Sequence, residues 1–198
     1  MPNVHSADLT YIAAGIDEYF DTNFLVLYSV VIAAVFFVGR QKQKGLLLVG
    51  ALAGAALFVS IIKRIALVSR PENALVFNLG YSFPSGHAVG IVVLAGVLAF
   101  FAWRYWQSTP ARAGIVSLFG IMVGLVSFDR VYLNTHWFSD VFGSLLLGAC
   151  WLSFLILLYS RLEMRGSFQG RRFNPVANWL YVAAAVLAVL VVLPGAVV

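Results

Sequence analysis

Three short segments of the chain carry side chains suited to chemistry. The first runs from Lys63 and Arg64 to Arg70 and Pro71, the second is Pro84-Ser85-Gly86-His87, and the third runs from Arg130 through His136 to Asp140. Lys63, Arg70 and Arg130 are fixed cations, and Arg in particular matches phosphate oxygens two at a time. Ser85 is a good helix N-cap, and Gly86 lets the backbone approach a ligand. The free N–H groups of a helix starting there would attract an anion. Pro71 cannot continue a helix and turns the chain just past Arg70. His136 and Asp140 are four residues apart, so a helix beginning near Thr135 would set both on one face. A carboxylate bonded to one imidazole nitrogen fixes the tautomer and leaves the other nitrogen nucleophilic. His87 then suits the general acid, and the cations suit the charge of a phosphoryl-transfer transition state. That chemistry calls for no metal and no other cofactor.

The elements that must position these residues are membrane helices. Of 198 residues, 62% are hydrophobic and only 11% charged, and the mean hydropathy is +0.92. A soluble domain carries about 25% charged residues, so the bilayer is the natural solvent for this chain. Apolar runs predict an all-α bundle of about six spans in one domain covering 1–198, near 24–38, 45–68, 88–106, 113–128, 137–159 and 176–198. Residues 7–20 are too polar to span. Their apolar positions Leu9, Ile12, Ile16 and Phe20 recur at helical spacing, which predicts a short interfacial helix. No basic, apolar leader of the cleavable kind opens the sequence.

Charge sorts along these spans. Arg40, Lys42, Lys44, Arg104, Arg112, Arg161, Arg165, Arg171 and Arg172 fall on one side, which the positive-inside rule makes cytoplasmic. The other four cations, Lys63, Arg64, Arg70 and Arg130, fall on the opposite side with His87, His136 and seven of the eight acids. The formal charge of +5 is therefore a topological signal and gives no reason to expect a nucleic-acid partner. Ionisable groups at membrane depth are expensive and usually functional.

The same residues resemble the type-2 phosphatidic-acid phosphatase superfamily, which also includes vanadium-dependent haloperoxidases. Its signatures K-x6-R-P, P-S-G-H and S-R-x5-H-x3-D are matched by Lys63, Arg70 and Pro71, by Pro84 to His87, and by Arg130, His136 and Asp140. The likeness covers roughly residues 25 to 160. One position departs: Asp129 stands where the family has Ser. The resemblance implies a phosphohistidine mechanism. His136 attacks phosphorus, His87 protonates the leaving group and Asp140 orients His136. Lys63, Arg70, Arg130 and the Ser85–Gly86 region hold the phosphate. It implies a metal-independent lipid phosphatase with its site at the outer boundary of the plasma or inner membrane.

Small size, a short outer loop and the N-terminal helix favour a bacterial undecaprenyl-diphosphate phosphatase serving wall synthesis. Phosphatidylglycerophosphate phosphatase and lipid A phosphatase or phosphotransferase are alternatives within the class. A lipid-phosphate binder or transporter without turnover is the alternative outside it. A haloperoxidase is disfavoured, because those enzymes are soluble.

Several residues have plainer readings. Arg64 suits anchoring or general attraction of anions, and Glu72 suits a structural pair with a nearby cation. His5 lies in a polar terminus, and Cys150 is a lone thiol in an apolar run. Trp103, Tyr105, Trp106, Trp137 and Tyr159 suit an interfacial aromatic belt. Gly50-x3-Gly54 and Gly120-x3-Gly124 suit close helix packing, inside the monomer or at a homodimer face.

Overall fold

The computed structural model describes residues 6–166, so the apolar run 176–198, together with His5, Arg171 and Arg172, lies outside the described residues. Those residues form six helices in the order α1 (Ala7–Tyr19), α2 (Thr22–Val38), α3 (Lys42–Ala66), α4 (Gly86–Tyr105), α5 (Thr109–Tyr132) and α6 (Phe138–Met164). Helices α3, α4, α5 and α6 are each long and apolar enough to cross a membrane, and α1 with α2 makes a fifth candidate bent by 45°. The fold is an all-helical membrane bundle. Backbone groups inside hydrocarbon must be satisfied within the segment, and a helix does this alone.

Capping side chains set where these helices begin. Ser6 accepts from Leu9 N–H at 3.3 Å, Asp21 from Asn23 N–H at 2.7 Å, and Ser85 from Ala88 N–H at 3.4 Å. Each satisfies a donor that the first helical turn leaves open. Helix α3 stops where Leu67 takes a left-handed conformation with φ +50°, and the chain then runs through a loop, 67–85, before α4.

Helix α4 is the centre, packed against α2, α3, α5 and α6. It is buried from His87 to Ala102 on several faces. Helix α2 turns Leu25, Tyr28, Ile32 and Phe36 inward, a spacing that keeps one stripe on the core. Outer faces stay apolar, as with Leu57, Ile61 and Ile65 on α3 or Leu118, Ile121 and Leu125 on α5, all exposed. That is the surface lipid tails cover. Tyr159 does not join an aromatic belt. It is buried, with its ring edge-on to Phe100 at 5.9 Å and to Phe101 at 5.7 Å. An interior aromatic cluster was available to it through α4, which apolar periodicity alone does not reveal. At the same end, Arg104 pairs with Glu163 at 2.6 Å.

Small residues let α3 and α6 close together. A Cβ on Gly54 would fall 2.3 Å from the Trp151 ring, and that ring is fixed by its Nε1–H donating to the Ala51 carbonyl at 2.8 Å. Gly50, one turn away, has nothing within 4 Å of such a Cβ. Gly54→Ala is expected to destabilise the detergent-solubilised protein by about 1–3 kcal/mol through overpacking. Gly50→Ala should be neutral or stabilising by up to about 1 kcal/mol. Thermal unfolding of the two variants checks the contrast.

Candidate active site

The loop 67–85 and the α5–α6 connection are stitched together by backbone contacts at one end of the bundle. Leu75 N–H donates to the Leu133 carbonyl at 3.0 Å. Asn134 Nδ2 donates to the Glu72 carbonyl at 2.7 Å, and Trp137 Nε1 to the Ser69 carbonyl at 2.9 Å. Glu72 thus contributes its backbone; among the described residues its carboxylate makes no ion pair.

Arg70 ties the two connections at the point of interest. Its Nε donates to the Gly80 carbonyl at 3.0 Å and its Nη2 to the Leu79 carbonyl at 3.3 Å. Its Nη1 donates to the Thr135 carbonyl at 2.8 Å and lies 3.4 Å from His136 Nε2. Gly80 has φ +79°, the left-handed conformation that a glycine adopts without strain, and this aims its carbonyl at the guanidinium. Lys63 Nζ donates to the Tyr81 carbonyl on the same loop.

His136 precedes α6 instead of lying on it. The helix starts at Phe138, with Trp137 extended as its N-cap, so the start near Thr135 is not what forms. The reason is Asp140, whose carboxylate accepts the Trp137 N–H at 3.0 Å and thereby caps the first turn. The same Oδ2 accepts from the Ser82 hydroxyl. It stands 3.8 Å from His136 Nδ1, an ion-pair separation too long for a hydrogen bond. His136 Nδ1 is buried with no hydrogen-bond partner.

Ser85 is fully buried and its polar groups are already engaged: its N–H donates to Ser144 Oγ at 2.7 Å, and its hydroxyl caps α4. Gly86 and His87 follow at the start of α4. His87 Nε2 has no hydrogen-bond partner and lies 3.9 Å from Asp21 Oδ1. Arg130 is 1% exposed. It donates from Nε to Asp129 at 2.8 Å, and from Nη2 to both Asp129 and Asp17. Asp129 is therefore a partner of its neighbouring arginine.

Lys63, Arg70, Gly86, His87 and His136 line one end of a cavity of about 600 Å³, which Ser85, Arg130 and Asp140 do not line. The cavity continues between α2 and α3 along Leu25, Val26, Val30, Leu52, Ala56 and Val59. From Val49 to Lys63 it follows α3 for roughly 20 Å at 1.5 Å per residue. Among the described residues no group of three His, Cys, Asp or Glu side chains is placed to hold a metal ion.

Ser82, Ser144, Asp17 and Asp21 are the contacts that sequence reasoning missed. Ser82 precedes the Pro84 motif by two residues, with no spacing rule to mark it. Asp17 is one of three acids in α1, and nothing in their spacing singles it out.

The chain is similar to known membrane proteins of one family. The PAP2 superfamily model matches residues 44–164. Phosphatidylglycerophosphatase B of Bacillus subtilis is 31% identical over 142 residues, which is 71% of this chain and 70% of that protein. Undecaprenyl-diphosphatase of Sulfolobus acidocaldarius is 31% identical over 132 residues, 63% of this chain and 59% of that one. The crystal structure of a transmembrane PAP2 type phosphatidylglycerolphosphate phosphatase from Bacillus subtilis superposes with a TM-score of 0.72 at 25% identity, over 85% of this chain and 82% of its own. LpxE of Aquifex aeolicus shares the fold, with a TM-score of 0.61 at 21% identity over 78% of this chain and 88% of its own. The chain belongs to the PAP2 superfamily. It is a membrane enzyme of the lipid-phosphatase class.

Burial, reinforced by the charges of Arg70, Lys63, Arg130 and His87, pushes the His136 imidazole down to about 3 from its ordinary 6.5. The ring is therefore neutral at physiological pH. In the unfolded chain it takes a proton near 6.5; in the folded chain it stays neutral until about 3. The unfolded state binds more protons in that window, so stability falls as pH drops through it. Histidine-selective NMR should show no His136 titration midpoint between about pH 5 and 8. A midpoint near 6.5 would contradict the burial and charge argument.

Proposed function

We propose that the protein removes the terminal phosphate from a membrane lipid phosphate or diphosphate through a phosphohistidine intermediate. The observation that carries this reading is one cavity with two characters. One end presents Lys63, Arg70, His87 and His136, and its long limb between α2 and α3 is apolar. A phosphate head fits the first and a lipid chain the second, entering sideways from the bilayer. Cations at the opposite end, among them Lys42, Lys44, Arg104, Arg112 and Arg161, favour the site facing away from the cytoplasm.

The roles follow from the atoms. Neutral His136 attacks phosphorus through Nε2, with Nδ1–H donating to Asp140. The P–O bond to the leaving group breaks, and His87 gives that oxygen its proton. His87 then takes a proton from water, which attacks the phosphohistidine and frees inorganic phosphate and His136. Lys63 and Arg70 steady the equatorial oxygens, joined by the Gly86 N–H and by Arg130. Ser82 holds the Asp140 carboxylate, so it acts on the nucleophile indirectly.

Undecaprenyl diphosphate is the substrate we favour, supported by the Sulfolobus relative, which is named an undecaprenyl-diphosphatase. Phosphatidylglycerophosphate is the second reading, supported by the Bacillus relative, which matches over more of the chain. A panel of purified lipid phosphates assayed for phosphate release separates them.

His136→Ala should abolish release and His87→Ala nearly so. Asp140→Asn should lower kcat by about 100-fold or more, as loss of an imidazole-orienting carboxylate does elsewhere, with KM little changed. Chelators should leave the rate unaltered and vanadate should inhibit. Lipid binding without turnover in wild type would favour the binder or transporter. A chelator block would overturn the mechanism.

The apolar limb makes a separate prediction. Ala56→Phe narrows it at a lining position. KM for a long-chain lipid phosphate should rise about tenfold, equivalent to about 1.4 kcal/mol, while hydrolysis of a short, soluble phosphate ester is unchanged. Equal effects on both substrates would remove the limb from substrate binding.

A further inference from the structure

Helix α1 packs against α5 and holds Arg130. Thr10 Oγ1 lies 3.2 Å from the Tyr132 hydroxyl, which in turn donates to the Ser6 carbonyl at 3.4 Å. These contacts moor α1 to the end of α5. Two turns further along, Asp17 pairs with Arg130 Nη2. That nitrogen is shared with Asp129, which also takes Nε. A single guanidinium thus faces two carboxylates, and it stands outside the cavity lining that Lys63 and Arg70 share.

The two carboxylates are not equivalent. Asp129 adjoins Arg130 on α5 and is fully buried, so it stays with the guanidinium whatever binds. Asp17 comes from a different helix, and its side chain is 18% exposed against 0% for Asp129. It is the partner that an incoming anion can replace. Carboxylate and phosphate oxygens compete for the same fork of donors. A phosphodiester carries one negative charge, no more than Asp17, and gains little by the exchange. A terminal phosphate carries close to two and wins it.

We propose that Asp17 is a specificity-determining residue, a latch on Arg130 that terminal phosphates displace and phosphodiester head groups do not. This rests on the phosphate-binding reading of the site above. It explains how an enzyme embedded among phosphodiester lipids could keep its third cation from being occupied by them.

The test is calorimetric binding of orthovanadate to the full-length protein in detergent, alongside inhibition of turnover by phosphatidylglycerol, a phosphodiester. Asp17→Asn should tighten vanadate binding about tenfold, since one competing charge near the guanidinium is gone. In that variant phosphatidylglycerol should become a competitive inhibitor. Asp17→Glu should restore wild-type behaviour, and Asp8→Asn, an exposed acid on the same helix, should change neither readout. In Asp17→Asn with Arg130→Ala the gain should vanish. Unchanged or weaker vanadate binding in Asp17→Asn, with thermal unfolding matching wild type, overturns the latch. If Asp17→Asn unfolds, Asp17→Ser is read in the same way. Failure of vanadate to bind wild type would instead overturn the phosphatase reading itself.

Discussion

The arrangement depends on Arg70 being held by carbonyl oxygens. Its guanidinium reaches Gly80 and Leu79 on one connection and Thr135 on the other, and it ends beside His136 Nε2. Neutral acceptors fix the cation without cancelling its charge. A carboxylate in their place would have held Arg70 as firmly and left little field for a phosphate. Because the bonds cross from the α3–α4 loop to the α5–α6 connection, the same contacts that orient the charge also close the bundle end.

Arg130 shows the contrary solution. It is buried more completely than Arg70, and a buried cation with no countercharge is costly. Asp129 and Asp17 meet that need. The departure of Asp129 from the family serine is intelligible in this light: the carboxylate neutralises its neighbour. The two arginines therefore divide into one whose charge faces the cavity and one whose charge is held in reserve.

Sequence reading reached the helical membrane fold because hydropathy sets it: stretches this apolar have no other way to satisfy their backbone groups. It also marked Lys63, Arg70, His87 and His136, which the structure gathers around one cavity, because their spacing carries a pattern across three segments. It could not see Ser82 or Asp17. Their contacts depend on where a loop and an N-terminal helix come to rest, and no period in the sequence encodes that. A helix beginning near Thr135, which would set His136 and Asp140 on one face, does not form for a local reason. Asp140 was read only as a partner for His136, yet its carboxylate also caps the helix at Trp137.

That double use of Asp140 has a consequence for the imidazole. One oxygen, Oδ2, serves the Ser82 hydroxyl and the Trp137 N–H and faces His136 Nδ1 at 3.8 Å. The carboxylate is fixed by the first two contacts before the imidazole is engaged. It is therefore a rigid reference against which the ring can turn. A carboxylate free to follow the ring would stabilise every orientation alike. One pinned to the helix start favours the single orientation in which Nδ1 donates to it and Nε2 stands beside Arg70. The ring stands slightly off that orientation, with Nδ1 unsatisfied. In the proposed reaction, positive charge developing on the imidazole as phosphorus is attacked draws Nδ1–H toward Oδ2. The bond then strengthens as the reaction proceeds, which is the condition for an interaction to lower the barrier and not merely deepen binding.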